Sequence, residues 1–118
     1  MKEVEYIPQS CRKADSIIEG SVKLRIPTTI ERYEYMAEVG FVVNEKGEVD
    51  NSVSASNLRS IGKMITLSKP HYIAVNMKYR DGSAEFKSFD DLSTDANCDD
   101  ILIEIAGLLM NGFRPTKN

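Results

Sequence analysis

Apolar and polar side chains alternate with a period of two in some stretches and recur near every third or fourth position in others, which predicts a mixed α+β domain. Over residues 2–7, Val4 and Tyr6 share one parity, so a short edge strand is expected before Pro8. Over residues 16–26, Ile18, Val22, Leu24 and Ile26 occupy even positions while Glu19, Lys23 and Arg25 occupy odd ones. That is the pattern of a half-buried strand, with Gly20 expected as a bulge and Pro27 as its end.

Thr28-Thr29-Ile30-Glu31 then has the spacing of a capping box, in which a hydroxyl and a carboxylate satisfy amides at the start of a helix. The helix should run to about Val39 and stop at Gly40, with Ile30, Tyr33 and Ala37 toward the core and Glu31, Glu34 and Glu38 outside. Residues 44–56 are polar and read as a mobile loop. Ser54 or Ser56 can cap a second helix, whose apolar face would be Leu58, Ile61, Met64 and Ile65, with Arg59 and Lys63 outside it and Pro70 limiting its end.

Period two returns over residues 72–80, where Asp81-Gly82 predicts a hairpin with a type I′ turn. The implied register sets Tyr79 against Ala84, Met77 against Phe86, Val75 against Ser88, and Lys78 against Glu85. Asp95 or Asn97 can cap a last helix running to about Asn111, ended by Gly112 and Pro115. The fold expected is therefore α+β, a small antiparallel sheet of about three to four strands with a DG hairpin, packed with three main helices. Residues 1–118 form a single domain in this reading, since the length is that of one ordinary core.

Two features bear on function. In the last helix, Asp100, Glu104, Gly107 and Asn111 share a narrow stripe, and apolar residues fill the remaining arc of roughly 220°. Either this helix is central and wrapped on both sides, or Ile103, Met110 and nearby Phe113 form a docking patch for another chain. Charge is also segregated: Arg59, Lys63, Lys69, Lys78 and Arg80 are followed by the acidic run Asp90, Asp91, Asp95, Asp99, Asp100 and Glu104. These blocks either screen one another within the monomer or steer head-to-tail self-association, with Arg59 and Lys63 on the rim of the docking patch.

The overall balance is mildly acidic, with net charge −3 and pI ≈ 5.2, which disfavours general nucleic-acid binding. Apolar runs are too short to cross a membrane and the charged start lacks a signal peptide's apolar stretch, so a cytoplasmic protein is expected. Cys11 and Cys98 lie far apart without a metal-ligand motif and are read as free thiols, and His71 as a structural or surface histidine. Nucleotide-binding and hydrolase motifs are absent. Asp95, Asn97 and Asp99 have the opening spacing of a calcium loop, but Asp100 and Ala106 stand where that loop needs Gly and Glu. No metal, no cofactor and no enzymatic activity are expected.

The stretches GSVKLRIPTTIERYEYM (residues 20–36), YIAVNMKYRDGSAEFKSFDDL (72–92) and ILIEIAGLLMNGF (101–113) resemble the small tail assembly chaperones of long-tailed bacteriophages and prophages. The resemblance implies a non-enzymatic factor in the host bacterial cytoplasm that binds the tape measure protein, keeps it soluble, helps recruit tail tube subunits, and often self-associates as a homo-oligomer. It carries no catalytic or binding residue across. Other classes compatible with the pattern are another small virion component, such as a tail completion protein, or a small cytoplasmic enzyme or regulator using Cys98 or His71. Met36, Met64, Met77 and Met110 could supply adaptable contacts for a client or fill the core.

Overall fold

A computed structural model describes residues 2–40, 42, 43, 49, 50 and 58–113. The chain forms β1 (Glu3–Tyr6), β2 (Ile18–Arg25), α1 (Thr29–Val39), β3 (Val42–Val43), β4 (Val49–Asp50), α2 (Leu58–Ser68), β5 (Tyr72–Tyr79), β6 (Glu85–Phe86), α3 (Phe89–Ser93) and α4 (Asp99–Met110). Short 3₁₀ turns occupy Gln9–Cys11, Lys69–His71 and Ala96–Cys98. One antiparallel sheet has the order β1-β2-β5-β6 and a second pairs β3 with β4. The fold is α+β.

β1 is an edge strand whose Val4 lies opposite Leu24 and whose Tyr6 lies opposite Val22. The alternation of β2 turns Ile18, Val22 and Leu24 to the buried face, where Val75, Met77 and Phe86 join them. Against that face lies α4, contributing Ile101, Leu102, Ile105 and Leu109, with Cys11, Leu92 and Cys98 completing the cluster. Fully burying each large apolar side chain contributes about 1.5–3 kcal/mol. The apolar arc of α4 is mostly core because it shares one buried cluster with the sheet and packs on α2.

Gly20 is not a bulge. The break in the β2–β5 register falls between Lys23 and Leu24, which pair with Ala74 and Tyr72, so the extra residue is Ile73 on β5 and two consecutive outward-facing positions, Ile73 and Ala74, result. Gly20 instead has φ +126°, and a Cβ there would meet the Asn76 carbonyl oxygen at 2.2 Å. Glycine is required by close backbone approach.

α1 begins with the capping box: Glu31 N donates to Thr28 Oγ1 at 3.2 Å and Thr28 N donates to Glu31 Oε1 at 3.0 Å. Gly40 closes it at φ +88°, in the left-handed region. The inward face differs from the expected one. Ile30 is 72% exposed and Tyr33 52% exposed, while Met36 and Val39 are buried and Arg32 and Tyr35 are half-buried. Residues 32, 36 and 39, like 30, 33 and 37, are separated by one step of three and one of four and so make an equally good helical face, and the rotation is chosen by polar anchors, Glu31 to Arg25 and Tyr35 to His71.

Leu58 is likewise not part of an inward face. It is 83% exposed, and α2 packs through Ile61, Met64 and Ile65, all half-buried. The reading of residues 44–56 as a plain loop is corrected at Val49–Asp50, which pair with Val42–Val43. Ser54, Ser56 and Pro115 lie outside the described residues. β5 and β6 pair with Met77 opposite Phe86 and Lys78 opposite Glu85, and Tyr79 N donates to Ala84 O. The turn between them is not type I′, which needs positive φ at both Asp81 and Gly82. Here Gly82 has φ +81° and Asp81 does not have a positive φ; the Asp81 carboxylate accepts from Ser83 N at 2.9 Å, an Asx turn that supplies the reversal without a left-handed aspartate. β6 ends after Phe86, so Val75 and Ser88 are not a ladder pair. The chain leaves the sheet there because Ser88 caps α3, its hydroxyl accepting from Asp91 N at 3.1 Å.

Candidate functional site

The residues expected to form a docking patch are distributed by the fold rather than gathered. Ile103 is 42% exposed, on the solvent side of α4, but Met110 is 5% exposed and belongs to the interior. Met110 is thereby corrected from interface to core. Phe113, half-buried, packs edge-on against Tyr6 with ring centroids 5.6 Å apart. That contact fastens the end of the last helix to β1 and removes most of the ring from a docking surface. Met36 and Met77 are also buried, leaving Met64 partly accessible.

Arg59 and Lys63 lie exposed on α2. Lys63 Nζ stands 3.7 Å from Glu38 of α1, so its charge is met within the monomer. The basic and acidic blocks touch at Lys69, which is 3.0 Å from Asp90, while Lys78 and Arg80 both face Glu19. Exposed pairs of this kind contribute about 0–1 kcal/mol each and are easily exchanged. A cleft of about 210 Å³ opens beside Lys69, between Tyr72, Val75, Lys87 and Phe89.

The acids around the last helix have structural partners. Asp95 accepts from Asn97 N at 2.9 Å and from the Tyr79 hydroxyl, capping the 3₁₀ turn that leads into α4. Those bonds hold its carboxyl below the usual aspartate value, the Tyr79 bond contributing most. Asp99 and Asp100 occupy the first turn of α4, where the helix dipole favours negative charge. Glu104 binds the Tyr6 hydroxyl and accepts from Gln9 N at 3.0 Å. Among the described residues there is no group of three or more His, Cys, Asp or Glu side chains suited to hold a metal ion, and no helix is long and apolar enough to cross a membrane.

Cys11 and Cys98 are buried free thiols in the common core. Burial pushes the Cys98 thiol up to about 11 and also raises that of Cys11, so neither is poised as a thiolate nucleophile. His71 is fully buried. Its Nδ1 lies 2.8 Å from the Arg25 carbonyl oxygen and its Nε2 2.8 Å from the Tyr35 hydroxyl. The Tyr35 hydroxyl is 3.3 Å from Glu31 Oε2, and Glu31 makes a two-pronged pair with Arg25 at 2.9 and 3.1 Å. Four polar side chains from β2, α1 and the turn before β5 are thus joined in one network.

Sequence reasoning missed this network because Arg25, Glu31, Tyr35 and His71 have no fixed spacing; the capping box signalled only Glu31. It also missed the exposed apolar surface. Ile30, Tyr33 and Leu58 carry the composition of core positions, and nothing local marks them as outward-facing. Compared with protein-family models, with curated proteins and with solved structures, the chain has no match.

Proposed function

We propose that this chain is a non-enzymatic protein-binding factor of the tail assembly chaperone kind, acting in a bacterial cytoplasm to bind a tape measure protein and assist tail assembly. The observation that carries the reading is the placement of Ile30 and Tyr33 on the outer side of α1 and of Leu58 at the start of α2, all more than half exposed. Ile30 and Tyr33 stand one turn apart on the same face of α1, and adjoining exposed apolar side chains of this kind suit a surface that meets another protein. The sequence stretches 20–36, 72–92 and 101–113 supply the resemblance that specifies the kind of partner. Ile103 is the remaining exposed member of the docking patch read from the sequence, and self-association through it belongs to the same proposal.

Co-expression with a long, helix-rich tape measure protein tests the reading. The expected result is a soluble complex that co-purifies and that is lost when Ile30 and Tyr33 are both replaced by Ser in a chain that still melts cooperatively. A tape measure protein that stays insoluble with and without this chain overturns it. Stoichiometric recovery of the chain in finished particles would instead favour a virion component such as a tail completion protein.

A further inference from the structure

The buried network around His71 is satisfied by two different arrangements of its hydrogens. The Arg25 carbonyl can only accept, so Nδ1 carries a proton. In the neutral imidazole Nε2 is then an acceptor, and the Tyr35 hydroxyl donates to it across 2.8 Å. A second proton, on Nε2, makes that nitrogen a donor; Tyr35 must accept from it, and the freed hydroxyl proton points to Glu31 Oε2 at 3.3 Å. The phenol oxygen lies within reach of both partners.

We propose that Arg25, Glu31, Tyr35 and His71 form a one-proton switch in which protonation of His71 reverses the Tyr35 hydroxyl from the imidazole to Glu31 and, by placing a charge in a buried site, loosens the hold of α1 on the end of β2 and the turn before β5. The titratable groups facing the imidazole are Arg25 from β2, which opposes its charge, and Glu31 and Tyr35 from α1, of which the carboxylate favours it. Burial is the largest influence and lowers the histidine value, so the neutral arrangement holds at pH 7 and the switch operates on the acid side. Because Ile30 and Tyr33 ride on α1, the proton also governs how firmly an exposed apolar face is held. The switch itself does not depend on what that face binds.

Nitrogen-15 NMR of the His71 ring across pH 8 to 4, on the intact chain, tests this. At high pH the ring should be the Nδ1–H tautomer with a hydrogen-bonded Nε2, and on acidification it should titrate while α1 amides lose protection relative to their intrinsic, pH-dependent exchange rates. Glu31→Gln should move the midpoint down and Arg25→Gln should move it up, each by about half a unit or more, with thermal melts verifying that both variants fold. Tyr35→Phe, which leaves the Nε2–H of the charged ring without an acceptor, should move the midpoint down. An Nε2–H tautomer, midpoints unmoved by both variants, α1 protection that ignores pH or rises on acidification, or unfolding before the ring titrates would each overturn the proposal.

Discussion

Gly20 on β2 lies so close to Asn76 on β5 that any side chain would put its Cβ 2.2 Å from the Asn76 carbonyl oxygen. That is well inside contact distance, the obstacle is backbone rather than a flexible side chain, and φ is +126°. Gly20→Ala should destabilise the domain by about 2 kcal/mol or more, combining backbone strain with separation of two central strands. For a domain of this size that lowers Tm by roughly 10 °C, read by a thermal melt. An unchanged Tm would mean that β2 and β5 are further apart than described.

Glu31 is held down at about 2, chiefly by its hydrogen bonds to Arg25 and next by the Thr28 amide. A carboxyl depressed on folding contributes stability that is complete above its ordinary value of 4.5 and is lost as pH falls through the folded value. Acid denaturation should therefore steepen between about pH 4.5 and 2. Glu31→Gln should flatten that limb and cost about 1–2 kcal/mol at pH 7, measured by urea melts at both pH values.

Tyr6 behaves in the opposite sense. Burial, then the Glu104 hydrogen bond, raises its phenol to about 12, so the folded chain retains the proton where the unfolded chain loses it. Its contribution is complete below pH 10 and disappears as pH rises toward 12. Tyr6→Phe should remove this alkaline limb and cost about 1 kcal/mol near neutrality. Ultraviolet titration of the phenolate would show the loss of one late-ionising tyrosine.

Ile103 and Met110 sit on the same helix with different surroundings, and the same substitution should separate them. Ile103→Asp places a carboxylate at an exposed position and should leave Tm within a few degrees, while weakening any self-association seen by light scattering. Met110→Asp places an unpaired charge in the interior and should cost about 3–5 kcal/mol, enough to unfold a marginal domain. Reversing Lys63 to Glu should cost less than about 1 kcal/mol, and less still at high salt, since its pair with Glu38 is exposed. If Met110→Asp folds normally, the helix has an open flank there.

Where the information is local, the sequence was legible. Strand parity in β2, the Thr28–Glu31 capping box, the stop at Gly40 and the β5–β6 register each depend on residues within a few positions of one another; the expected Asp95 cap instead serves the 3₁₀ turn, and α4 starts after Cys98 without a side-chain cap. The inward face of α1 was not legible. Two faces with comparable helical periodicity compete there, and the choice depends on Arg25 and on His71, which lies 36 positions beyond Tyr35. The same limitation concealed the buried network, whose members come from three separate elements.

By itself the sequence determined the alternation of periods, the turn and cap positions, and hence an antiparallel sheet with helices packed on it, because steric preference and local hydrogen bonding act over a few residues. Only the tertiary structure decided that Gly20 serves a close strand approach, that Met110 is interior and Ile103 is not, that Ile30, Tyr33 and Leu58 face solvent, and that His71 is enclosed by Tyr35 and the Arg25 carbonyl. These outcomes depend on which surfaces meet across the fold. Hydrophobicity specifies that a side chain prefers burial; whether a neighbour arrives to bury it is settled by the packing of the whole chain.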